Sequence, residues 1–263
     1  KKEEQRAAML QEYVDHLRTY VTRSLGVQPP QEYSATVIHQ PTKSLCIVGA
    51  TGGLGSELTR QALASGLKVS GVIRSAEKAE TVFTEEEREQ LTLHVGSIDD
   101  ASFLQSAFEG VDAVVEVISN SQRPDGIEKI LTAAAASKVT TVLVTGGAVT
   151  LFTDPENKTD DTRMGNLKLP GSPDWMPWAT NLHAGVLELA KSFTSKGIKY
   201  TAQIAPPFME AGGPTHKYSP LVDVLVKGKS PEKVPYGDTA KLFLEVVQDP
   251  AVWNGQQVGL VEH

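Results

Sequence analysis

An α/β domain built on a doubly wound parallel sheet is the fold class the sequence predicts, and three observations predict it. Short β-branched runs alternate with helical stretches from Lys43 to the end of the chain. The runs LCIVGA, AVVEVI and TVLVT are nearly continuous in apolar residues. Strands covered on both faces must look like this, whereas a half-exposed antiparallel sheet would alternate. A glycine-rich turn, GATGGLG at residues 49–55, follows the first of these strands and opens a helix.

The elements follow in chain order. Residues 4–25 carry Leu10, Val14, Leu17 and Val21 at helical spacing with charges between them, which predicts a one-faced helix. Its apolar stripe is shorter than a coiled coil needs, so packing on the main domain is the expected role, and docking of a protein partner or a second copy is the other. Gly26 and the run GVQPPQ stop the helix, and residues 26–42 read as a linker. The body is then one domain, residues 43–263. Strands are expected at 44–49, 68–74, 91–95, 113–118, 140–145, 200–204 and 256–261. Helices are expected near 53–65, 75–83, 101–108, 126–137, 179–196 and 238–248. The acidic run TEEERE at 84–89 reads as a solvated helical face. Residues 146–178 hold Pro155, Pro170, Pro173 and Pro177 without periodicity and read as a long loop, a lid or an excursion.

Composition narrows the function. The chain has 263 residues, 40% of them hydrophobic, and a formal charge of -7. That balance supplies no cation excess for a phosphate backbone, so nucleic acid is not expected as a partner. The least charged long stretch, 139–153, falls short of the roughly 20 apolar residues of a spanning helix, and no transmembrane segment is expected. A single cysteine, Cys46, cannot form an internal disulfide and reads as a small apolar residue in a buried strand. The expected setting is a soluble one, cytoplasm or organelle interior. The chain begins at Lys1, and its first residues do not fix the compartment. The six histidines, one cysteine and scattered carboxylates show no metal-ligand spacing. No Gly-x-Ser-x-Gly elbow points to hydrolysis.

The glycine turn carries the chemistry. Gly49 allows a tight exit from the strand, Gly52 lets backbone approach a pyrophosphate, and Gly55 lets the helix lie close to the sheet. Unpaired amides of the first helical turn then face the anion, and Thr51 adds a hydroxyl to the cradle. In this context the turn predicts a dinucleotide site on a Rossmann-like sheet. An NAD site places a carboxylate at the end of the second strand. This chain has GVIRSAEK there, and Arg74 and Lys78 offer cations where a 2′-phosphate would sit, so NADP is the expected cofactor. Pairing of those cations with Glu77 and Glu80 is the competing explanation. Ligands of open α/β sheets bind outside the carboxyl ends of the strands. Ser97 and Ile98 are therefore expected beside the adenine, Ile118 and Ser119 near the pyrophosphate and ribose, and Thr145 and Gly146 under the nicotinamide. Pro207 and Phe208 face the same end.

Four blocks, GATGGLG, VIRS, VTGGAVTLF and GIKYTAQIAPPF, together resemble the atypical short-chain dehydrogenase/reductase group of NAD(P)-binding proteins. Within it the likeness is to biliverdin IXβ reductase/flavin reductase and to bacterial NADH-flavin reductases. It spans roughly residues 43–260. The resemblance implies that Gly49, Thr51, Gly52, Gly53, Leu54 and Gly55 contact pyrophosphate. It implies that Arg74 and Lys78 contact the 2′-phosphate, and Thr145 and Pro207 the nicotinamide end. One departure is informative. None of Tyr13, Tyr20, Tyr33, Tyr200, Tyr218 and Tyr236 has Lys four residues later, so the Tyr-x-x-x-Lys proton donor of better-known relatives is missing. The catalytic Ser of the reductases is also replaced, by the stretch Thr145-Gly146-Gly147-Ala148. Thr145 and His183 are the catalytic candidates that remain, and Trp175, Trp178 and Phe208 could form a platform for a planar ring. The function expected is NADPH-dependent reduction of a flavin, quinone or other planar conjugated acceptor. A non-catalytic NADP-binding scaffold or redox sensor is the alternative, with the amino-terminal helix as its docking element.

Overall fold

The computed structural model describes residues 42–118, 124–167, 174, 176–225 and 233–263. The expected amino-terminal helix and nearly all of its linker lie outside them, as do Ser119 and Trp175.

From Ser44 the elements follow the expected alternation: β1 (Ser44–Val48), α1 (Gly53–Ala64), β2 (Lys68–Ile73), α2 (Ala76–Val82), α3 (Glu85–Glu89) and β3 (Leu91–Val95). Next come α4 (Ala101–Ala107), β4 (Ala113–Glu116), α5 (Pro124–Ala136), β5 (Thr141–Thr145), α6 (Met176–Ser192) and β6 (Tyr200–Ile204). The last elements are β7 (Phe208–Glu210), β8 (Tyr218–Val222), β9 (Lys233–Pro235), α7 (Tyr236–Gln248) and β10 (Gln257–Glu262). Helix starts are written in local chemistry. Ser75 accepts from the Lys78 amide, Asp100 accepts from the Phe103 amide, and Thr84 forms a capping box with Glu87 at the start of the acidic run.

The main sheet runs in the order β3-β2-β1-β4-β5-β6-β10-β8. Its first seven strands are parallel. Two corrections to the expected sheet follow. β8 joins the edge antiparallel to β10, and β7 pairs with β9 in a separate two-stranded ribbon. Neither β7, β8 nor β9 was expected.

Both faces of the sheet are covered. Along β1, Leu45 and Ile47 face one core with α1 and α7, while Cys46 and Val48 face the other with α4, α5 and α6. Period-2 alternation of apolar residues on both sides is what makes the strand read as a continuous apolar run. Phe243 anchors the first core, and Phe108 and Phe193 anchor the second, all three fully buried. Truncating such a ring to Ala costs about 3–5 kcal/mol.

The expected long loop is a further correction, since much of its described part is structured. Short 3-10 turns occupy Ala148–Thr150, Asp160–Thr162 and Met164–Asn166. Phe152 bridges to both Arg163 and Val224, and the Arg163 guanidinium lies 4.4 Å from the Phe152 ring centroid. The helix that follows begins at Met176 instead of residue 179 and ends at Ser192, with a 3-10 turn over Phe193–Lys196.

Candidate functional site

At the end of β1 the chain turns sharply. Gly49 has φ of 98°, in the left-handed region, and its amide donates to the Val72 carbonyl at 2.9 Å. A side chain there would meet Ile118 Cγ2 at 2.9 Å. A Cβ on Gly55 would lie 2.1 Å from the Gly49 carbonyl oxygen, so the helix can rest on the turn only because residue 55 has none. Helix α1 has Gly52 as N-cap, no side-chain cap and no acidic residue in its first turn. The ladder begins with Ser56 donating to Gly52, so the amides of Gly53, Leu54 and Gly55 precede it. Positive dipole and uncapped amides meet at one mouth, which suits an anion. Thr51 stands half-buried beside it.

One side of the mouth is cationic. Arg74 and Lys78 are exposed just beyond β2, and among the described residues neither side chain has an ion pair or a hydrogen bond. Glu77, the expected competitor, instead accepts from the Ser75 hydroxyl at 2.7 Å. That bond holds the Glu77 carboxyl below its usual range. Past β3, Ile98 is buried and Ser97 is exposed, its hydroxyl 3.2 Å from an Asp99 oxygen. Lys129 of α5 ties Asp99 at 3.0 Å to Asp125 at 2.7 Å and fixes this strand end.

On the other side the sheet parts. The β4–β5 ladder stops at Val115–Leu143, while β1 stays paired to β4 as far as Glu116 and β5 stays paired to β6 as far as Thr145. Glu116, fully buried, fills the gap. Its carboxylate accepts from the Ile118 amide at 2.6 Å and from the Thr145 amide at 3.1 Å. The Thr145 hydroxyl donates to the Glu116 carbonyl at 2.6 Å, so its hydrogen is committed to the backbone.

His183 of α6 comes to the same place. A Cβ on Gly147 would lie 3.4 Å from its Nε2, and a Cβ on Gly146 would run into Gln203, whose amide donates to the His183 carbonyl at 2.7 Å. His183 Nδ1 is buried without a partner among the described residues, and burial lowers the imidazole pKa from 6.5. The ring is therefore neutral at pH 7, a hydrogen-bond donor or acceptor and a weak source of protons.

The loops after β5 and β6 are joined by the Ala148 amide donating to the Pro206 carbonyl at 2.8 Å, with Pro207 half-buried next to it. Phe208 is 66% exposed and Trp178, in the first turn of α6, 55% exposed. Both segments start from the carboxyl edge of the sheet, the edge that carries the glycine turn.

The strand ends thus bring Gly49, Ile118 and the first turn of α1 together at one mouth, and Thr145, Gly146 and His183 at its far end. Glu116, Gln203 and Tyr236, whose ring packs on Gly53, went unforeseen. For Glu116 a signal existed: a charged residue in the middle of AVVEVI, a run otherwise fit for burial on both faces. Among the described residues no group of His, Cys, Asp or Glu could hold a metal, and no helix is long and apolar enough to cross a membrane.

Known proteins resemble this chain in sequence and in fold. A cinnamoyl-CoA reductase of Medicago truncatula is 29% identical over 130 residues, 45% of this chain and 39% of that protein, so the match spans about two fifths of the relative's length. Among solved structures, the anaerobillin reductase ChuY of Escherichia coli O157:H7 is 19% identical with a TM-score of 0.59, covering 83% of this chain and 97% of that one. A wide-type short-chain dehydrogenase/reductase of Veillonella parvula, solved in complex with NADP, is 14% identical with a TM-score of 0.61, covering 84% of this chain and 95% of that one. At these identities the two structures speak for the fold. The glycine turn and most of the sheet around it fall within residues 49–250, which match the profile of the NAD(P)H-binding family, and the chain belongs to that family.

Proposed function

We propose that the protein is an NADPH-dependent reductase that passes hydride directly to a flavin, a quinone or another planar conjugated acceptor. The carrying observation is the pairing of an uncapped glycine-turn mouth with a far end poor in acids. The Thr145 hydroxyl spends its hydrogen on the Glu116 carbonyl, His183 is neutral, and no Tyr-x-x-x-Lys pair exists. Reduction of an isolated carbonyl asks for a proton donor at the oxygen. A conjugated acceptor spreads its charge over the ring and chiefly needs to be held flat and close.

NADPH, when bound, supplies the hydride from its nicotinamide. Everything else falls to the chain. The amides of Gly53, Leu54 and Gly55 hold the diphosphate, and Arg74 and Lys78 hold the 2′-phosphate. Ser97 and Ile98 line the adenine side. Thr145, Gly146 and Pro207 shape the nicotinamide end, where His183 offers a neutral N–H to a reduced acceptor. Phe208 and Trp178 are exposed aromatics at the edge where a planar ring would enter, and they supply stacking surface. The anaerobillin reductase that shares the fold is named for a reduction, in keeping with this reading.

Shortage of acid groups also favours a second reading, an NADP-binding redox sensor without turnover. Absorbance at 340 nm with NADPH and a panel of flavins and quinones separates the two. Acceptor-dependent loss of absorbance is the expected result, and tight NADPH binding with no oxidation by any acceptor would hand the site to the sensor.

A further inference from the structure

Three glycines of the turn have evident tasks, at 49, 52 and 55, and Gly53 has none of them. It lies in the first turn of α1 without a left-handed φ, so its backbone would accept another residue. What forbids one is Tyr236. A Cβ on Gly53 would lie 2.5 Å from Tyr236 Cε2 and 2.8 Å from Cζ, the carbon that bears the hydroxyl. The missing side chain makes room for a phenol at the rim of the anion mouth.

The ring is held on both flanks. Pro235 is the N-cap of α7, and as part of β9 it pairs with Glu210 of β7. The Gly237 amide donates to the Gly212 carbonyl at 2.9 Å, and Gln61 of α1 reaches the Gly237 carbonyl at 2.8 Å. The body of the ring packs against the core beneath α1 and α7. Its hydroxyl is neither sealed in the interior nor bonded to any described residue. An amphipathic side chain with its apolar body fixed and its polar tip free, beside uncapped helix amides, is a ready donor to an anion.

We propose that Tyr236 is a cofactor-binding residue, walling the glycine mouth and donating its phenolic hydrogen to the diphosphate of the dinucleotide. The inference rests on the seating of the diphosphate at the first turn of α1. It gives the missing side chain of Gly53 a purpose beyond the contact its amide makes: it admits the ring.

Calorimetric titration of the full chain with NADPH and, separately, with 2′-AMP provides the test, since 2′-AMP keeps the adenosine and its 2′-phosphate but has no diphosphate. Tyr236→Phe removes one oxygen and keeps the packing. A hydrogen bond to a charged group is strong enough for NADPH affinity to fall about tenfold, while 2′-AMP affinity stays within about twofold. Unchanged NADPH affinity, or equal weakening of both ligands, overturns the assignment. Should Tyr236→Phe melt too early to titrate, Gly53→Ala gives the same reading by driving the ring off the rim, with NADPH again weakened and 2′-AMP spared. Wild-type protein that takes up neither ligand would remove the diphosphate seat itself, a failure distinct from that of the tyrosine.

Discussion

Arg74 decides between two cofactors by a single charge. Its side chain is exposed and unpaired among the described residues, so exchanging it alters little of the fold. Arg74→Asp replaces a group able to grip phosphate at two points with one that accepts from a ribose hydroxyl. Direct titrations should show NADPH affinity falling at least tenfold and NADH affinity rising; equal affinity for NADPH before and after would free Arg74 of this role. His183 makes a different kind of prediction. Burial lowers its pKa from 6.5, so as pH falls the unfolded chain takes up the proton first. Stability therefore rises with pH wherever the unfolded state binds more protons, and here it is lost as pH drops below about 6.5. Urea midpoints measured between about pH 5 and 8 should show that decline, and His183→Gln should flatten part of it. An identical slope in the variant would contradict the buried, neutral ring.

β4 and β5 are joined at their ends by a side chain in place of a ladder, and Glu116 is that side chain. Glu116→Ala leaves the part-buried amides of Ile118 and Thr145 without the acceptor they now share. Two unmet donors at about 1–3 kcal/mol each set a range of roughly 2–6 kcal/mol, and partial exposure of both places the expected loss in denaturant titrations at its lower end, with less for Glu116→Gln, which keeps one acceptor oxygen. A loss below about 1 kcal/mol for the alanine variant would mean that the gap closes on itself. The same element shows what a sequence can and cannot disclose. The glycine turn was legible because its chemistry is local: strand, turn and helix start within about a dozen residues. The parallel strands were legible because burial on both faces writes a continuous apolar run. β7 and β9 have three residues each, too few to show a period, and β8 carries Pro220 and is half-buried throughout, as an edge strand tolerates. Pro177 made the start of α6 read as loop, although a helix's first turn has no use for the missing N–H. The roles of Glu116 and Tyr236 depend on partners far along the chain, Thr145 and Gly53, which no local pattern announces.

Across the whole molecule, β1 is the strand everything else must release before it is exposed. It lies between β2 and β4, with helices over both faces, and at its middle sits Cys46, fully buried. Burial pushes its thiol up to about 12, so at pH 8 the native protein presents virtually no thiolate, and no path for a reagent. Alkylation by iodoacetamide then has to wait for an opening large enough to part the central sheet, and its rate reports the population of that open state. Anything that binds the folded form alone lowers that population by the factor 1 + [L]/Kd. The glycine mouth begins at Gly49, directly after β1, so a ligand seated there is lost when the strand is released. Labelling of Cys46 should be undetectable on the timescale of a free thiol, become rapid in denaturant, and slow about a hundredfold when NADPH is present at a hundred times its Kd. Protection should extend to Tyr236→Phe at concentrations raised in proportion to its weaker binding. Labelling at the free-thiol rate would show that the central sheet opens locally, and labelling indifferent to saturating NADPH would show that opening at β1 leaves the nucleotide bound.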